Sequence, residues 1–248
     1  MNLRKILKKI KSTGECILTL LYPDICPFCG RILKKEEKRN ICKACEFKLP
    51  YIYEPRCKKC GKPINKEEQE YCWDCEHHRH YFDRGLAVWE HRPVVAHAVY
   101  QFKYHNRRIY SHFFAKEMVK SYESVIRKWN IDLIVPIPIS KKRKKQRGYN
   151  QAELIAREMS RLLEIPMDDY GLIRIKDTIA QKKLNAWERK TNLFKAFVWR
   201  GASNLRGNIL LVDDIYTTGN TIDAAARVLK SSGASKVYFM TISIGEGF

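Results

Sequence analysis

The sequence predicts an α/β protein: a mostly parallel sheet covered by helices, preceded by a small segment folded around metal. Three observations carry this. Apolar runs alternate with helical patterns from about Tyr81 onward, as in a parallel sheet buried on both faces. Eight of the nine cysteines fall into four Cys-x-x-Cys pairs, all before residue 76. The length of 248 residues suits one ordinary domain plus a smaller one.

The chain opens with a basic stretch in which Leu3, Ile6, Leu7 and Ile10 share one helical face and Lys/Arg the other. A basic amphipathic helix is expected over 1–22, packed on its own domain or lying in a membrane interface. The apolar stretch from Cys16 to Tyr22 is interrupted by Thr19 and closed by Pro23-Asp24 without a small-residue cleavage site. That argues against a signal peptide. No run approaches the ~20 apolar residues that span a bilayer. The expected location is therefore the cytoplasm, with the inner membrane face as a place for this helix.

The cysteine pairs are Cys26/Cys29, Cys42/Cys45, Cys57/Cys60 and Cys72/Cys75, separated by 12, 11 and 11 residues. Two thiolates two residues apart can bite one tetrahedral ion, and a second pair a dozen residues on closes the site. Gly30 and Gly61 follow the second cysteine of a pair, where a knuckle needs positive φ. A cytosolic chain disfavours disulfides, and evenly repeated pairs suit zinc better than an iron–sulfur cluster. Sequential pairing gives Cys26, Cys29, Cys42 and Cys45, then Cys57, Cys60, Cys72 and Cys75; interleaved pairing is the alternative. Either way the two zinc sites are closed and structural. A double zinc ribbon is thus expected over 23–80, in a segment with too few large apolar side chains to fold without metal. Cys16 reads as a packed small hydrophobe, and His77, His78 and His80 as a solvated linker rather than ligands.

The formal net charge is +20. A four-thiolate zinc site carries −2, so two of them lower it to +16 and shift the basic potential toward the C-terminal part. The excess implies anionic company: phosphorylated ligands, nucleic acid or an anionic membrane surface.

Over 81–248 the elements follow in order. Gly85–His91 reads as a strand, and Pro93–Tyr104 as a helix with proline in its first turn. Arg108–Lys128 is a longer helix, Asp132–Pro136 a buried strand, Asn150–Leu163 a helix and Leu172–Ile175 a strand. Ile209–Val212 and Lys236–Ile244 are strands joined by a helix over Thr221–Ser232, with Gly233 as its terminating glycine. Asn150 suits the N-cap of its helix. The stretch Asp177–Ala196 is polar and too long for a connector, which suits a lid as well as a surface helix.

The chemistry concentrates in Leu211-Val212-Asp213-Asp214-Ile215-Tyr216-Thr217-Thr218-Gly219-Asn220-Thr221. Paired acids at a strand exit can accept hydrogen bonds from neighbouring sugar hydroxyls. A helix opening after the hydroxyl-rich turn offers N–H groups to a phosphate. A strand ending in an ordinary capped helix explains one or two of these residues only. No Gly-Lys-Ser/Thr follows, so it is not a P-loop. Upstream, Pro136-Ile137-Pro138-Ile139-Ser140 leads into the basic loop Lys141–Arg147, whose Arg and Lys side chains suit pyrophosphate, or a solvated or nucleic-acid-facing surface.

Taken with Phe102-Lys103-Tyr104, Arg147-Gly148-Tyr149-Asn150-Gln151, Gln181 and Glu188-Arg189, this chain resembles the ComF family of competence-associated phosphoribosyltransferase-like proteins (ComFC/GntX type) over essentially its whole length. Tyr149 stands where the family usually has phenylalanine. The resemblance implies a type I phosphoribosyltransferase fold, binding of phosphoribosyl pyrophosphate (PRPP) with Mg²⁺, and a role in uptake of single-stranded DNA during transformation. It assigns the ribose hydroxyls to Asp213 and Asp214 and the 5-phosphate to Thr217, Thr218, Gly219, Asn220 and Thr221. Pyrophosphate falls to the loop after Pro138 with Arg143 and Arg147, and to Arg189 closing over it, so that Asp213, Asp214 and Arg189 would be the catalytic set. Trp187 or Tyr149 could stack on a base, but no hood names an acceptor. Three functions follow: a PRPP-binding protein of DNA uptake with a helicase-like or membrane-channel partner, a phosphoribosyltransferase acting on an amine or base, and a PRPP sensor working through a protein partner.

Overall fold

The computed structural model describes residues 23–34, 37, 40–175, 196–201 and 205–245. The chain divides into two compact units at the junction of Leu49 and Pro50, and each is described by itself.

The smaller unit is a cysteine knuckle followed by a short helix. Ile25 and Ile32 form an antiparallel bridge. The turn between them closes through Cys26 N–H to Arg31 O at 2.8 Å and Gly30 N–H to Cys26 O at 2.9 Å. Gly30 has the expected positive φ of 73°. Cys42 then stands at the N-cap of α1 (Lys43–Glu46), which carries Cys45.

The larger unit begins with the same device. Arg56 bridges Pro63, Cys57 N–H donates to Lys62 O at 2.7 Å and Gly61 N–H to Cys57 O at 2.9 Å. Cys72 is the N-cap of α2 (Trp73–His77), which carries Cys75. Gly61, at φ 76°, presses on the main sheet: a Cβ there would lie 2.6 Å from Gly85 O. Only glycine meets both demands.

The main sheet holds β1 (Arg84–Glu90), β2 (Ile131–Pro136), β5 (Asn208–Tyr216) and β6 (Lys236–Ile244), in the order β1-β6-β5-β2. All three pairings are parallel. Ile209, Leu210, Leu211 and Val212 of β5 are each 0% exposed, so the central strand is covered on both faces, as its unbroken apolar run requires. Between β1 and β2 lie α3 (Pro93–Tyr104) and α4 (Tyr110–Lys128). After β2 come α5 (Lys141–Arg147) and α6 (Gln151–Leu163), and α7 (Asn220–Ser231) joins β5 to β6. The buried stripe Ile155, Ala156, Met159 and Leu163 seats α6 on β5 and β2, with α4 beside it. Ile222, Ala225, Ala226 and Leu229 bury the matching stripe of α7, at the spacing an amphipathic helix needs.

Three elements differ from the expectation. Lys141–Arg147, read as a basic loop, is the helix α5: Ser140 Oγ accepts from Arg143 N–H at 3.3 Å as its N-cap, and Gly148 ends it with φ 78°. The residues expected as a strand over 172–175 form β3 (Leu172–Arg174) outside the main sheet, in an antiparallel hairpin with β4 (Phe197–Trp199). The hairpin packs near α7. β5 continues to Tyr216, so both acids ride on the strand instead of following it.

The segment 1–22, including Cys16, and residues 177–195 of the expected lid, including Gln181, Trp187 and Arg189, lie outside the described residues. Among the described residues no helix is long and apolar enough to cross a membrane.

Candidate functional site

The eight thiols gather sequentially. Cys26, Cys29, Cys42 and Cys45 form one group and Cys57, Cys60, Cys72 and Cys75 the other, with all sulfurs of a group within 4.8 Å of one another. Four sulfurs ~2.3 Å from a tetrahedral zinc are about 3.8 Å apart. The Sγ separations of 3.7 Å for Cys29–Cys42 and 3.6 Å for Cys60–Cys72 match that figure. The donor set and spacing fit structural zinc, with no open position for a reacting ligand. His77 and His78 stay outside the cluster, bonding Trp73 O at 2.8 Å and Asp74 at 3.0 Å. His80 is not solvated as expected. It is stacked on Phe82 at 4.8 Å, and its ring nitrogens face Asp74 at 3.5 Å and Asp223 at 3.7 Å.

The second site lies at the carboxyl ends of the parallel strands, where open α/β sheets present their ligand crevices. Asp213 and Asp214 are the sixth and seventh of the nine residues of β5. Asp214 Oδ1 is 2.8 Å from Lys103 Nζ on α3. The pKa of Asp213 is raised to about 7, first by burial and next by the Asp214 charge, against the pull of Lys103 and Arg174. At neutral pH the pair therefore carries less than two full charges.

Beyond the acids, Thr217 and Thr218 are exposed and Gly219 is buried. Gly219, at φ 73°, is the N-cap of α7, and no side chain caps the helix. The first-turn N–H groups are thus left without the side-chain acceptor that Thr217, Thr218 or Asn220 could have supplied. Asn220 and Thr221 open the helix, half-buried.

The loop after β2 is tied down from both sides. Ile137 N–H donates to Val212 O at 2.9 Å, and Asn150 Nδ2 donates to Ile137 O at 3.0 Å. Asn150 is the N-cap of α6, as expected, its Oδ1 accepting from Ala152 N–H. Pro138 is half-buried in this loop, whereas Arg143 is exposed on α5. Arg147 reaches inward: it donates to Gln151 Oε1 at 3.1 Å and to Tyr104 Oη at 3.0 Å, with its guanidinium over the Tyr104 ring at 4.8 Å. Tyr149 is a packing residue. It is buried, donates to Phe102 O and lies under the Arg108 guanidinium.

Sequence reasoning gave no role to Lys103, Arg174 or His91. His91 Nδ1 is 2.8 Å from Ser243 Oγ. Burial, reinforced by the Lys103 charge, holds it below the ordinary imidazole pKa against the opposing effect of Asp214. Lys103 stood within a quoted motif, but no local pattern says which strand a helical lysine will reach. A cavity of about 480 Å³ adjoins, lined by Lys62, Asn65, Glu90, His91, Ile244 and Gly245 among others.

The sequence matches the model of the double zinc ribbon domain over residues 17–76 and that of the phosphoribosyl transferase domain over residues 120–243. It is 27% identical to Competence protein F of Haemophilus influenzae, over 68% of this chain and 76% of that protein. DNA utilization protein YhgH of Escherichia coli is 27% identical over 89% of this chain and 90% of its own length. Competence protein ComFC of Bacillus subtilis is 30% identical over 82% of both. With two four-cysteine ribbon clusters ahead of a phosphoribosyltransferase domain, and a relative this similar over most of both lengths, the chain belongs to the ComF family.

Proposed function

We propose that the protein binds PRPP at the carboxyl end of β5 and works on single-stranded DNA during its uptake. One observation carries the first half. Two adjacent carboxylates near the end of the strand are followed at once by a glycine-capped helix whose first N–H groups have no side-chain cap. In this reading Asp213 and Asp214 hold the ribose hydroxyls, and Thr217, Thr218, Gly219, Asn220 and Thr221 enclose the 5-phosphate. Pyrophosphate lies toward Pro138 and Arg147, with Arg143 at the outer edge, and Arg189 comes from the segment outside the described residues. Mg²⁺, held largely by ligand oxygens and water, would neutralise the pyrophosphate.

The DNA half is supported by the net charge of +20 and by the names of the relatives. It is also supported by a ledge beside the cleft. Tyr100 and Tyr104, 54% and 47% exposed, lie 5.0 Å apart on α3, where Arg147 of the basic helix α5 stacks over the Tyr104 ring at 4.8 Å. Aromatic faces beside a basic stripe suit single-stranded nucleic acid. The basic segment over 1–22 supports a place at the inner face of the membrane, beside a helicase-like or channel partner.

Calorimetry with PRPP, with and without Mg²⁺, tests the first half: wild type should bind and Asp214→Ala should not. A wild type that gives no heat would overturn it. For the second half, affinity for a thymidine 20-mer should fall steeply with salt and weaken when Lys141–Lys145 are reversed in charge; salt-independent or absent binding rules it out.

The cavity beside His91 favours a second reading, turnover. A nitrogen nucleophile seated there would displace pyrophosphate through an oxocarbenium-like transition state, helped mainly by positioning and charge. Pyrophosphate release above background with any member of an amine and base panel would establish it; none would leave binding alone.

A further inference from the structure

The tyrosine ledge on α3 and the acids of β5 stand at the two ends of one chain of contacts. Lys103 Nζ lies 2.8 Å from Asp214 Oδ1. The Lys103 carbonyl accepts from Gln151 Nε2 at 3.5 Å. Gln151 Oε1 accepts from Arg147 Nη1 at 3.1 Å, and Arg147 Nη2 donates to Tyr104 Oη at 3.0 Å. Lys103 and Tyr104 are neighbours at the end of α3, and adjacent helical residues face different ways. One therefore serves the acids while the other serves the ledge.

Arg147 is the link that cannot serve both ends at once. A guanidinium grips phosphate oxygens best through two neighbouring nitrogens, and its side-on fork is Nε with Nη2. Arg147 Nε is buried and has no hydrogen-bond partner among the described residues, so half of that fork is open. The other half, Nη2, is held by Tyr104. The opposite nitrogen, Nη1, is tied to Gln151, which is 0% exposed. Tyr104 is 47% exposed, and its hydroxyl is the contact that water can replace. A pyrophosphate drawing on the Nε–Nη2 fork thus takes Arg147 from the ledge, not from Gln151.

The acids act in the same direction. Sugar hydroxyls that donate to Asp214 displace its partner Lys103, and Tyr104 is the next residue of the same helical turn. A phosphorylated sugar and a nucleic-acid strand are also both polyanions, and they repel one another across a short separation.

We propose that PRPP and single-stranded nucleic acid bind this protein in opposition. Arg147 either steadies the Tyr104 ledge for the strand or grips pyrophosphate, and Gln151 and Lys103 tie the ledge to the acids. Each ligand then weakens the other by the same factor, as linkage requires. This rests on the PRPP and DNA reading above and adds the regulation of that site.

The test uses the full-length zinc protein and a fluorescently labelled thymidine 20-mer, read by anisotropy at ~0.15 M salt. Saturating PRPP with Mg²⁺ should raise the Kd for the oligomer about five- to tenfold, the lower part of the usual range of coupling. Sodium chloride matches the ionic strength of the arm without PRPP. By calorimetry, protein saturated with the oligomer should lose PRPP affinity by the same factor. Tyr104→Phe keeps the ring and removes the hydroxyl that holds Nη2, and Gln151→Met breaks the chain at its buried link. In each variant the ratio of oligomer affinities without and with PRPP should fall below about twofold. A ratio cancels any loss of stability or affinity common to both arms. Wild type that binds both ligands with an unchanged or tightened oligomer affinity would overturn the proposal, as would a full-sized ratio in both variants. Calorimetry with PRPP alone judges the underlying site separately: a wild type that gives no heat removes that reading and this proposal with it.

Discussion

Lys103 Nζ lies 2.8 Å from Asp214 Oδ1, and the two side chains are only 17% and 12% exposed. The cation comes from α3, which follows β1, and the acid from β5, which is separated from β1 by β6. Lys103, together with the Arg174 charge, thus offsets two adjacent carboxylates toward the exit of the central strand. It also stands where an anionic ligand held by Asp213 and Asp214 would approach, so ligand binding must redistribute this pair.

Removing the cation alone should therefore be worse than removing both charges. Lys103→Met leaves Asp214 nearly buried without a partner, and stability should fall by about 1–2 kcal/mol, a drop in Tm of roughly 2–8 °C for a chain of this size. Lys103→Met combined with Asp214→Asn should recover most of that loss while still failing to bind PRPP. Thermal melts of the four proteins of the cycle measure the coupling. A double variant no more stable than the lysine variant would show that the pair contributes nothing to stability.

Much of this arrangement is legible in the sequence, and the exceptions have physical causes. The apolar run of β5 and the 3.6-residue stripes of α6 and α7 announce buried elements, because nothing else reconciles them with water. The paired thiols announce two closed zinc sites through spacing, but the choice of sequential over interleaved pairing comes only from the fold. Where the local signal was composition alone it misled: Lys141–Arg147 is so basic that it reads as a loop, yet Ser140 and Gly148 supply a cap and a stop for one helical turn and more. Leu172–Arg174 has the right residues for a strand, but only tertiary packing decides that its partner is β4 and not the main sheet. His80 sits among exposed histidines in sequence, and its burial between Asp74 and Asp223 depends on residues 6 and 143 positions away. Lys103 likewise acquires its partner only from the fold.

The raised pKa of Asp213, about 7, gives a signed pH dependence. In the unfolded chain this carboxyl titrates near its ordinary value of 3.8. Between those values the folded protein holds a proton that the unfolded chain has lost, so the stability associated with the protonated form is complete below about pH 4 and is lost as pH rises through 7. The amide introduced by Asp213→Asn stays neutral throughout. This variant should therefore melt close to wild type at pH 4 and above it at pH 8, by roughly 2–4 °C for each kcal/mol relieved. It should also bind PRPP poorly at every pH, whereas wild-type affinity should rise from pH 6 to pH 8 as Asp213 ionises and becomes a full acceptor. Parallel melting curves for the two proteins across this range would contradict the assignment.

Gly219 is the last and strictest constraint on the turn. Its φ of 73° is strained for any residue with a side chain. A methyl group there would also meet Tyr216, whose ring cannot retreat because it is stacked on Phe239 with an interplanar angle of 4°. Gly219→Ala should thus shift the turn, lowering stability by about 1–3 kcal/mol and PRPP affinity by at least tenfold. Adding Tyr216→Phe removes the closest collision but leaves the backbone strain, so the double variant should regain part of the stability lost in Gly219→Ala and little of the affinity. Thermal melts and PRPP calorimetry on the two proteins separate these effects. An alanine variant that binds PRPP as tightly as wild type would mean that the 5-phosphate is held somewhere other than this turn.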